Sequence, residues 1–535
     1  TPMTTPLYMS DGPCALCGSD IREHDHTTQQ RISRRSALTA VGAASAFAGT
    51  SFTSRKSLAQ RPERADIPTG EFVVEAGWLL VEQNGTHALI QNGSVLVSGG
   101  LIAKVSADRI AGDYKRIDAH KHIVTPGFIS GHTHACTATP TRGLIENGRR
   151  PNNRRPQELV EQLSDSDQDK LTAYNVAELL RSGTTTHVEM SLSLRQAQAY
   201  VRVAEAWGVR GYPGGMIPGS NRLEPIWSRT DDQVLLDSED GTLDEIAANL
   251  AFAKEKMGAS EGRILPMMAP HATDTHTPAT MAALAAAVKE LGTGLHIHLS
   301  QSGQETERVK RMWGVTPTQW LESFGLLDGT VFGAHMGGLD WTIDPEILIK
   351  KGVVLAHCPS AGGAGGFSQN YPEALAAGIA VNIGIDTHSN DYLENLKLAV
   401  LYGQARYAIL RNGPQPIKNP TMWTALRNAT SVPADALKRK DIGRIVEGAK
   451  ADLISIDVSG FLVGGGTLPP EPVNNLLYAN GLMVKHVITE GYVQVFGGVL
   501  VVDDESRVLE DGGAVMASIY DQLRAEDWFS ALPRE

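Results

Sequence analysis

Apolar and polar positions change rhythm twice along the chain. From Gly70 to about His122, short runs rich in valine, isoleucine and leucine alternate with turn residues. The runs are Phe72 to Val74, Trp78 to Val81, His87 to Ile90, Ser94 to Val97 and Leu101 to Val105, with Asn84-Gly85, Asn92-Gly93 and Gly99-Gly100 between them. Five short strands at this spacing predict a small β-sandwich segment. From Pro126 the rhythm becomes strand, loop, helix, repeated. Ser166 with Asp169 predicts a helix to Arg181, stopped by Gly183 before a strand over Thr184 to Met190. Leu194 to Trp207 reads as helix, Val209 to Ile217 as strand. Thr242 with Glu245 opens a helix to Gly258, Ile264 to Pro270 is a strand, and Pro278 starts a helix to Leu291.

Four further strand-like runs, Gly294 to Leu299, Thr330 to Ala334, Val353 to Ala356 and Ile379 to Ile385, complete a set of eight that begins at Pro126. Eight strands separated by helices fit an α/β fold of the (β/α)8 TIM-barrel type, in which function collects at the C-terminal ends of the strands. After helices over Asn390 to Arg411 and Pro420 to Ser431, short strands return at Ala451 to Ile456, Val484 to Thr489 and Tyr492 to Val502, and a helix is expected over Gly512 to Ala525. The late strands are placed to pair with the early ones. The expected division is a tail over 1–65, sandwich segments over 66–125 and 447–505, a barrel over 126–446 and a helical tail over 506–535.

Composition narrows the partners. Over 535 residues, 42% hydrophobic and 20% charged is ordinary for a globular protein, and a net charge of −12 argues against nucleic acid or an anionic membrane. A small-molecule substrate is the expectation, with no membrane span and with assembly into a homo-oligomer left open. Ser33 to Phe52, with Arg34-Arg35 before a small apolar run, resembles a twin-arginine export signal, which implies delivery to the periplasm; without it the protein is cytoplasmic. The four cysteines form no disulfide framework, and Cys14-x-x-Cys17 lacks the second pair that a zinc site needs.

Chemistry enters at His132-Thr133-His134. Residues two apart on a strand face the same way, so both imidazoles can reach one ion. Each further candidate falls at the end of a separately predicted strand: His271 on the fourth, His298 on the fifth, His335 on the sixth and Asp386 on the eighth. Three imidazoles and one carboxylate around a cation leave room for water, whose pKa such a metal lowers to roughly 7.

Pro126-Gly127-Phe128-Ile129-Ser130-Gly131-His132-Thr133-His134, His296-Ile297-His298, Ala334-His335, His357-Cys358-Pro359 and Gly384-Ile385-Asp386 resemble the amidohydrolase superfamily. The nearest branch is that of cytosine, guanine and adenosylhomocysteine deaminases and triazine hydrolases, and the likeness runs from about Gly70 to Val502. It implies His132, His134, His298 and Asp386 as ligands of one divalent ion, zinc first, with iron, manganese or cobalt as alternatives. It also implies that His335 orients the attacking water or shares its proton and that His271 touches substrate. A two-metal site in this superfamily usually needs a lysine closing the fourth strand, and Ile264 to His271 has none.

One departure redirects the function. The deaminase branch places a glutamate three residues after the fifth-strand ligand, whereas His298-Leu299-Ser300-Gln301 places an amide there, which cannot act as general acid or base near neutral pH. Glu305 lies one helical turn further on. Proton transfer then falls to Asp386 and His335, with Gln301 left to hydrogen bond in the site. The expected reaction is therefore hydrolysis of a non-peptide carbon–nitrogen bond of an amide, urea, carbamate or cyclic amide, the alternative being deamination or dehalogenation of a nitrogen heterocycle. His388 and Arg142 are further expected substrate contacts. Arg149, Arg150, Arg154 and Arg155 read better as a solvated loop, and the glycines over Ala361 to Gly366 as a mobile or closely approached one. His120, His122, His187, His276, His296 and His486 read as surface or satisfied core histidines.

Overall fold

The computed structural model describes residue 63 and residues 65–144, 154–227, 235, 238–365 and 368–531. The export-like segment, the Cys14–Cys17 pair, Arg149, Arg150 and Gly366 lie outside the described residues.

Strands β1 Phe72–Gln83, β2 Thr86–Gln91, β3 Ser94–Ser98, β4 Leu101–Ser106 and β5 Lys115–Pro126 precede the barrel. The first two predicted runs are one strand, because the ladder crosses the Gly77 region through a bulge between Ala76 and Trp78. β5 was not expected beyond its last residues, although Arg116-Ile117-Asp118-Ala119 carries the polar–apolar alternation of a half-buried strand. Strands β6 Phe128–Thr133, β7 Thr184–Ser191, β8 Arg210–Ile217 and β9 Ala269–Pro270 form one parallel set, and β10 Leu295–Leu299, β11 Val331–His335, β12 Val354–His357 and β13 Ala380–Ile383 form another. The sets meet at two seams. Met268 and Ala272 bridge to Leu295 and His298, and Thr133 bridges to Asp386, while the N–H groups of Ile385 and Asp386 both donate to the His132 carbonyl. The result is a TIM-barrel-like α/β fold. β7 is buried along its whole length although it reads Thr-Thr-Thr-His-Val-Glu-Met-Ser, so the barrel interior is polar there.

Local signals placed several helices well. Ser193 caps Leu194–Trp207, which ends on Gly208 at φ 68°, and a Thr277–Thr280 capping box opens Pro278–Leu291 before Gly292 at φ 76°. Three starts lie earlier than expected. The helix Asp165–Arg181 is capped by Ser164, because the Ser-x-x-Asp spacing occurs twice in succession. The helix Glu239–Lys256 contains Thr242, whose hydroxyl donates back to the Ser238 carbonyl at 3.0 Å. The last helix runs over Glu505–Ala525 and takes Gly512 into its interior, where an added Cβ would come within 2.5 Å of the Tyr174 ring.

Strands β14 Leu453–Asp457, β15 Val484–Thr489, β16 Tyr492–Phe496 and β17 Val499–Leu500 join the early strands in one nine-stranded sheet, with β14 antiparallel to β5. The early and late strands therefore do pair, but as a continuous sheet rather than as two facing ones. Its end strand β4 comes back to the segment ahead of β14 through a Leu101–Lys450 bridge, so the sheet curls around a core that includes Phe72, Leu79, Val95, Ile117, Leu453 and Ile488.

Candidate metal centre and its surroundings

β6 delivers His132 and, one residue past its end, His134; β10 delivers His298, β11 ends on His335, and Asp386 follows β13 by three residues. All five are buried, between 0% and 9% exposed. Ligand atoms of His132, His134 and Asp386 lie within 4.8 Å of one another, as do those of His132, His298 and His335. Asp386 is the hub. Its Oδ1 lies 3.2 Å from His134 Nε2 and 3.8 Å from His132 Nε2, and its Oδ2 lies 3.5 Å from His335 Nε2. The His298 and His335 rings are parallel, 1° apart in plane, at 5.4 Å. Ser300, His335 and Asp386 hold φ values of 46°, 74° and 63°, left-handed conformations that cost non-glycine residues on the order of 1–3 kcal/mol each and persist where the surrounding fold imposes them.

The far nitrogens explain the aim of the rings. Nδ1 of His298 donates to the His271 carbonyl at 2.7 Å, Nδ1 of His134 donates to the Met190 carbonyl, and Nδ1 of His132 meets His296 Nε2 at 2.7 Å. A carbonyl only accepts, so His134 and His298 both carry a proton on Nδ1, which makes Nε2 the lone-pair side of a neutral His298 and turns Nε2 of His134 to Asp386 Oδ1, 3.2 Å away. Nε2 of His132 is buried with no hydrogen-bond partner. An orphaned acceptor beside two tautomer-locked imidazoles and a carboxylate is the donor set that a first-row divalent cation takes, so the residues fit such an ion.

Electrostatics agree. Burial drives His132 and His298 well below the ordinary imidazole value, with neighbouring imidazoles adding to the effect, so both are neutral near pH 7. Burial opposes ionisation of Asp386, but the His134 hydrogen bond first, and the electrostatic pull of the surrounding imidazoles after it, outweigh burial and hold the carboxyl below its ordinary value. Burial would lower His134 too; Asp386 and Glu189 beside it raise it instead.

Other expected residues divide. His271 is brought in, its ring 5.1 Å from that of His298. Gln301 follows β10 by two residues and is half-buried. Its N–H donates at 2.6 Å to Glu305, whose other oxygen takes Thr273 N–H at 3.3 Å and the Thr273 hydroxyl at 2.5 Å. Glu305 thus ties the loop after β9 to the loop after β10. Burial first and Asp274 second push its carboxyl up to about 8. His388 is held at 2.6 Å by Ser360 beyond β12. Arg142 is engaged elsewhere, bidentate with Glu178 at 2.9 and 2.7 Å. Arg155, expected on a solvated loop, instead opens the short helix Arg155–Glu161 and pairs with Glu526 at 2.6 Å.

Sequence reasoning passed over two residues next to the cluster. His296, read as a core histidine, is core, but its partner is His132. Glu189 is fully buried on β7 and accepts from Thr133 Oγ1 at 2.6 Å, Ser191 Oγ at 2.8 Å and Ala135 N–H at 3.0 Å, fixing the turn that carries His134. Its signal was a lone acid inside a strand of threonine and valine. His120, His187, His276 and the pair His122 and His486 all have local partners away from the cluster.

Residues 123–493 match the model of the amidohydrolase family. The chain belongs to that family. It is accordingly a hydrolase acting on carbon–nitrogen bonds other than peptide bonds. A relative from Moorella thermoacetica, a 5-methylthioadenosine/S-adenosylhomocysteine deaminase, is 32% identical over 447 residues, covering 81% of this chain and 92% of its own. Among solved structures, an adenosine deaminase from Xanthomonas campestris with bound zinc superimposes with a TM-score of 0.69 at 22% identity, covering 85% of this chain and all of that one. Atrazine chlorohydrolase from Arthrobacter aurescens complexed with zinc gives 0.70 at 19%, covering 83% and 100%. At those identities the two structures speak for the fold. No described helix is long and apolar enough to cross a membrane.

Proposed function

We propose that this amidohydrolase is a mononuclear metal-dependent enzyme that hydrolyses the carbon–nitrogen bond of a small amide, urea, carbamate or cyclic amide. His132, His134, His298 and Asp386 would hold one divalent ion, zinc being the first candidate from the zinc-bearing neighbours. When bound, such an ion supplies Lewis acidity, polarising a carbonyl and making water acidic near neutral pH. The chain's own residues do the rest. Asp386, ionised and central, accepts a proton; His335, 3.5 Å from its Oδ2, passes one to the leaving nitrogen. His271 and Gln301 stand on adjacent loops to contact the substrate.

The observation that carries this choice is the amide at position 301. The nearest acid, Glu305, spends both oxygens on the loops of Thr273 and Gln301. A ring-nitrogen proton shuttle therefore has no free carboxylate at the expected place, whereas carbonyl hydrolysis does not need one. A second reading, deamination of an aminated heterocycle, draws on the deaminase relative and on Glu305, which at about 8 keeps a proton at neutral pH. Metal analysis of the purified protein followed by product analysis decides. An amine with a carboxylate or carbamate supports acyl cleavage; ammonia from an aminated purine supports the second reading. Gln301→Glu is expected to gain ammonia release from such a ring, and a wild-type deaminase that the same substitution inactivates would overturn the proposal.

A further inference from the structure

His132 differs from its two companions in what holds its far nitrogen. For His134 and His298 the partner of Nδ1 is a backbone carbonyl, which dictates the tautomer and cannot be altered by substitution. For His132 it is a side chain, His296 Nε2 at 2.7 Å, with the two rings perpendicular at 87° and both residues fully buried. His296 sits on β10 two residues before His298, so both rings point into the barrel, one layer apart, and the contact spans the interior to β6. The other nitrogen of His296, Nδ1, is buried without a partner. An imidazole that faces another imidazole is ambivalent, since either can donate.

We propose that His296 is the positioning residue of the metal centre: it accepts the Nδ1–H of His132, fixes that tautomer and aims the unpartnered Nε2 of His132 at the ion. The proposal rests on the reading of His132 as a ligand. Only one proton arrangement serves a cation. His132 must carry its proton on Nδ1 so that Nε2 offers a lone pair, and His296 must then carry its own on Nδ1 and accept through Nε2. The alternative, with both protons on Nε2, points an N–H of His132 into the cluster and repels a cation. The buried, unpartnered Nδ1 of His296 is the cost of the serving arrangement, because an unpaired buried N–H is disfavoured. Second-layer partners of this sort typically govern metal affinity by 10- to 100-fold.

The test compares His296→Leu and His296→Gln with wild type. Gln places an amide oxygen near the position of the lost Nε2; Leu offers no acceptor. Zinc dissociation constants are read by competition with a chromogenic chelator, and the d–d spectrum of the cobalt-loaded protein reports the ligand field. Thermal midpoints of the metal-free proteins check that both variants fold. The expected result is a zinc affinity weakened about 10- to 100-fold in His296→Leu and largely restored in His296→Gln, with a cobalt spectrum altered only in the former. Equal affinity and identical spectra in all three proteins overturn the positioning role while leaving the ligand assignment intact. Wild type that binds neither metal, or that binds zinc undiminished after His132→Ala, overturns the ligand assignment itself and the proposal with it. Should His296→Leu fail to fold, His296→Gln decides, since an affinity far below wild type in a folded protein contradicts acceptance by an amide oxygen.

Discussion

The two ends of the barrel spend buried charge in opposite ways. At the N-terminal end, Arg210 of β8 is 1% exposed and reaches Asp452 at 3.2 Å and Glu490 at 3.3 Å, with Lys450 and Arg263 also on Glu490. Asp452 in turn accepts the Glu490 N–H at 2.8 Å, and its carbonyl takes the Gly127 N–H at 2.9 Å, so this network fastens the curled sheet to the barrel floor. Every charge there meets its opposite. At the C-terminal end, four imidazoles crowd one carboxylate, a ring nitrogen is left without a partner and Ser300, His335, Met336 and Asp386 hold left-handed backbone. Compensated charge stabilises a fold. Uncompensated donors stabilise it only once something binds, so the upper end is built for a ligand and the lower end for the chain itself.

Breaking the upper end should be the larger event for activity and the smaller one for folding. His298→Ala, or exhaustive chelation of wild type, is expected to reduce kcat/KM by on the order of 10³-fold or more, since several kcal/mol of charge stabilisation are lost. The metal-free thermal midpoint should change little. A midpoint that collapses with His298→Ala would show that the cluster is structural. Arg210→Ala reverses the pattern: stripping one partner from a buried ion pair should cost about 3–5 kcal/mol in denaturant unfolding, with kcat of the folded fraction within about twofold of wild type.

Glu305 sharpens the contrast from within the upper end, where it joins the loops after β9 and β10. Its folded value of about 8 exceeds the ordinary 4.5, so the folded protein keeps a proton that the unfolded chain releases. Its contribution to stability is complete below about pH 4.5 and is lost as pH climbs towards 8. Glu305→Gln should therefore flatten the decline of unfolding free energy between pH 5 and 8, measured in urea; an unchanged slope would assign the proton elsewhere. The smallest effect belongs to a site at neither end. Gly512→Ala pushes a methyl group against Tyr174 and should cost about 1–3 kcal/mol without touching turnover, as thermal melts and steady-state rates would report.

Much of the site was legible because a barrel turns sequence order into geometry. Any polar residue at the C-terminal end of a strand points at the same mouth, so His132, His134, His298, His335 and Asp386 could be placed together from strand ends alone. His296 and Glu189 were not legible in this way, since what they do is set by the strand opposite or alongside. Arg142 shows the converse: a cation on the right loop whose partner, Glu178, lies on a helix that no local pattern connects to it.

The amino-acid order alone determined the alternation of strands and helices, the caps that bound several of them and the identity of the imidazoles and carboxylate at the mouth, because these follow from periodicities of two and 3.6 and from local hydrogen bonding. Only the tertiary structure decided which tautomer each ring adopts, which acid is free to move a proton and how nine strands from both sides of the barrel become one sheet. Those outcomes depend on atoms brought within about 3 Å by chain closure over hundreds of residues, a distance scale that no local pattern encodes.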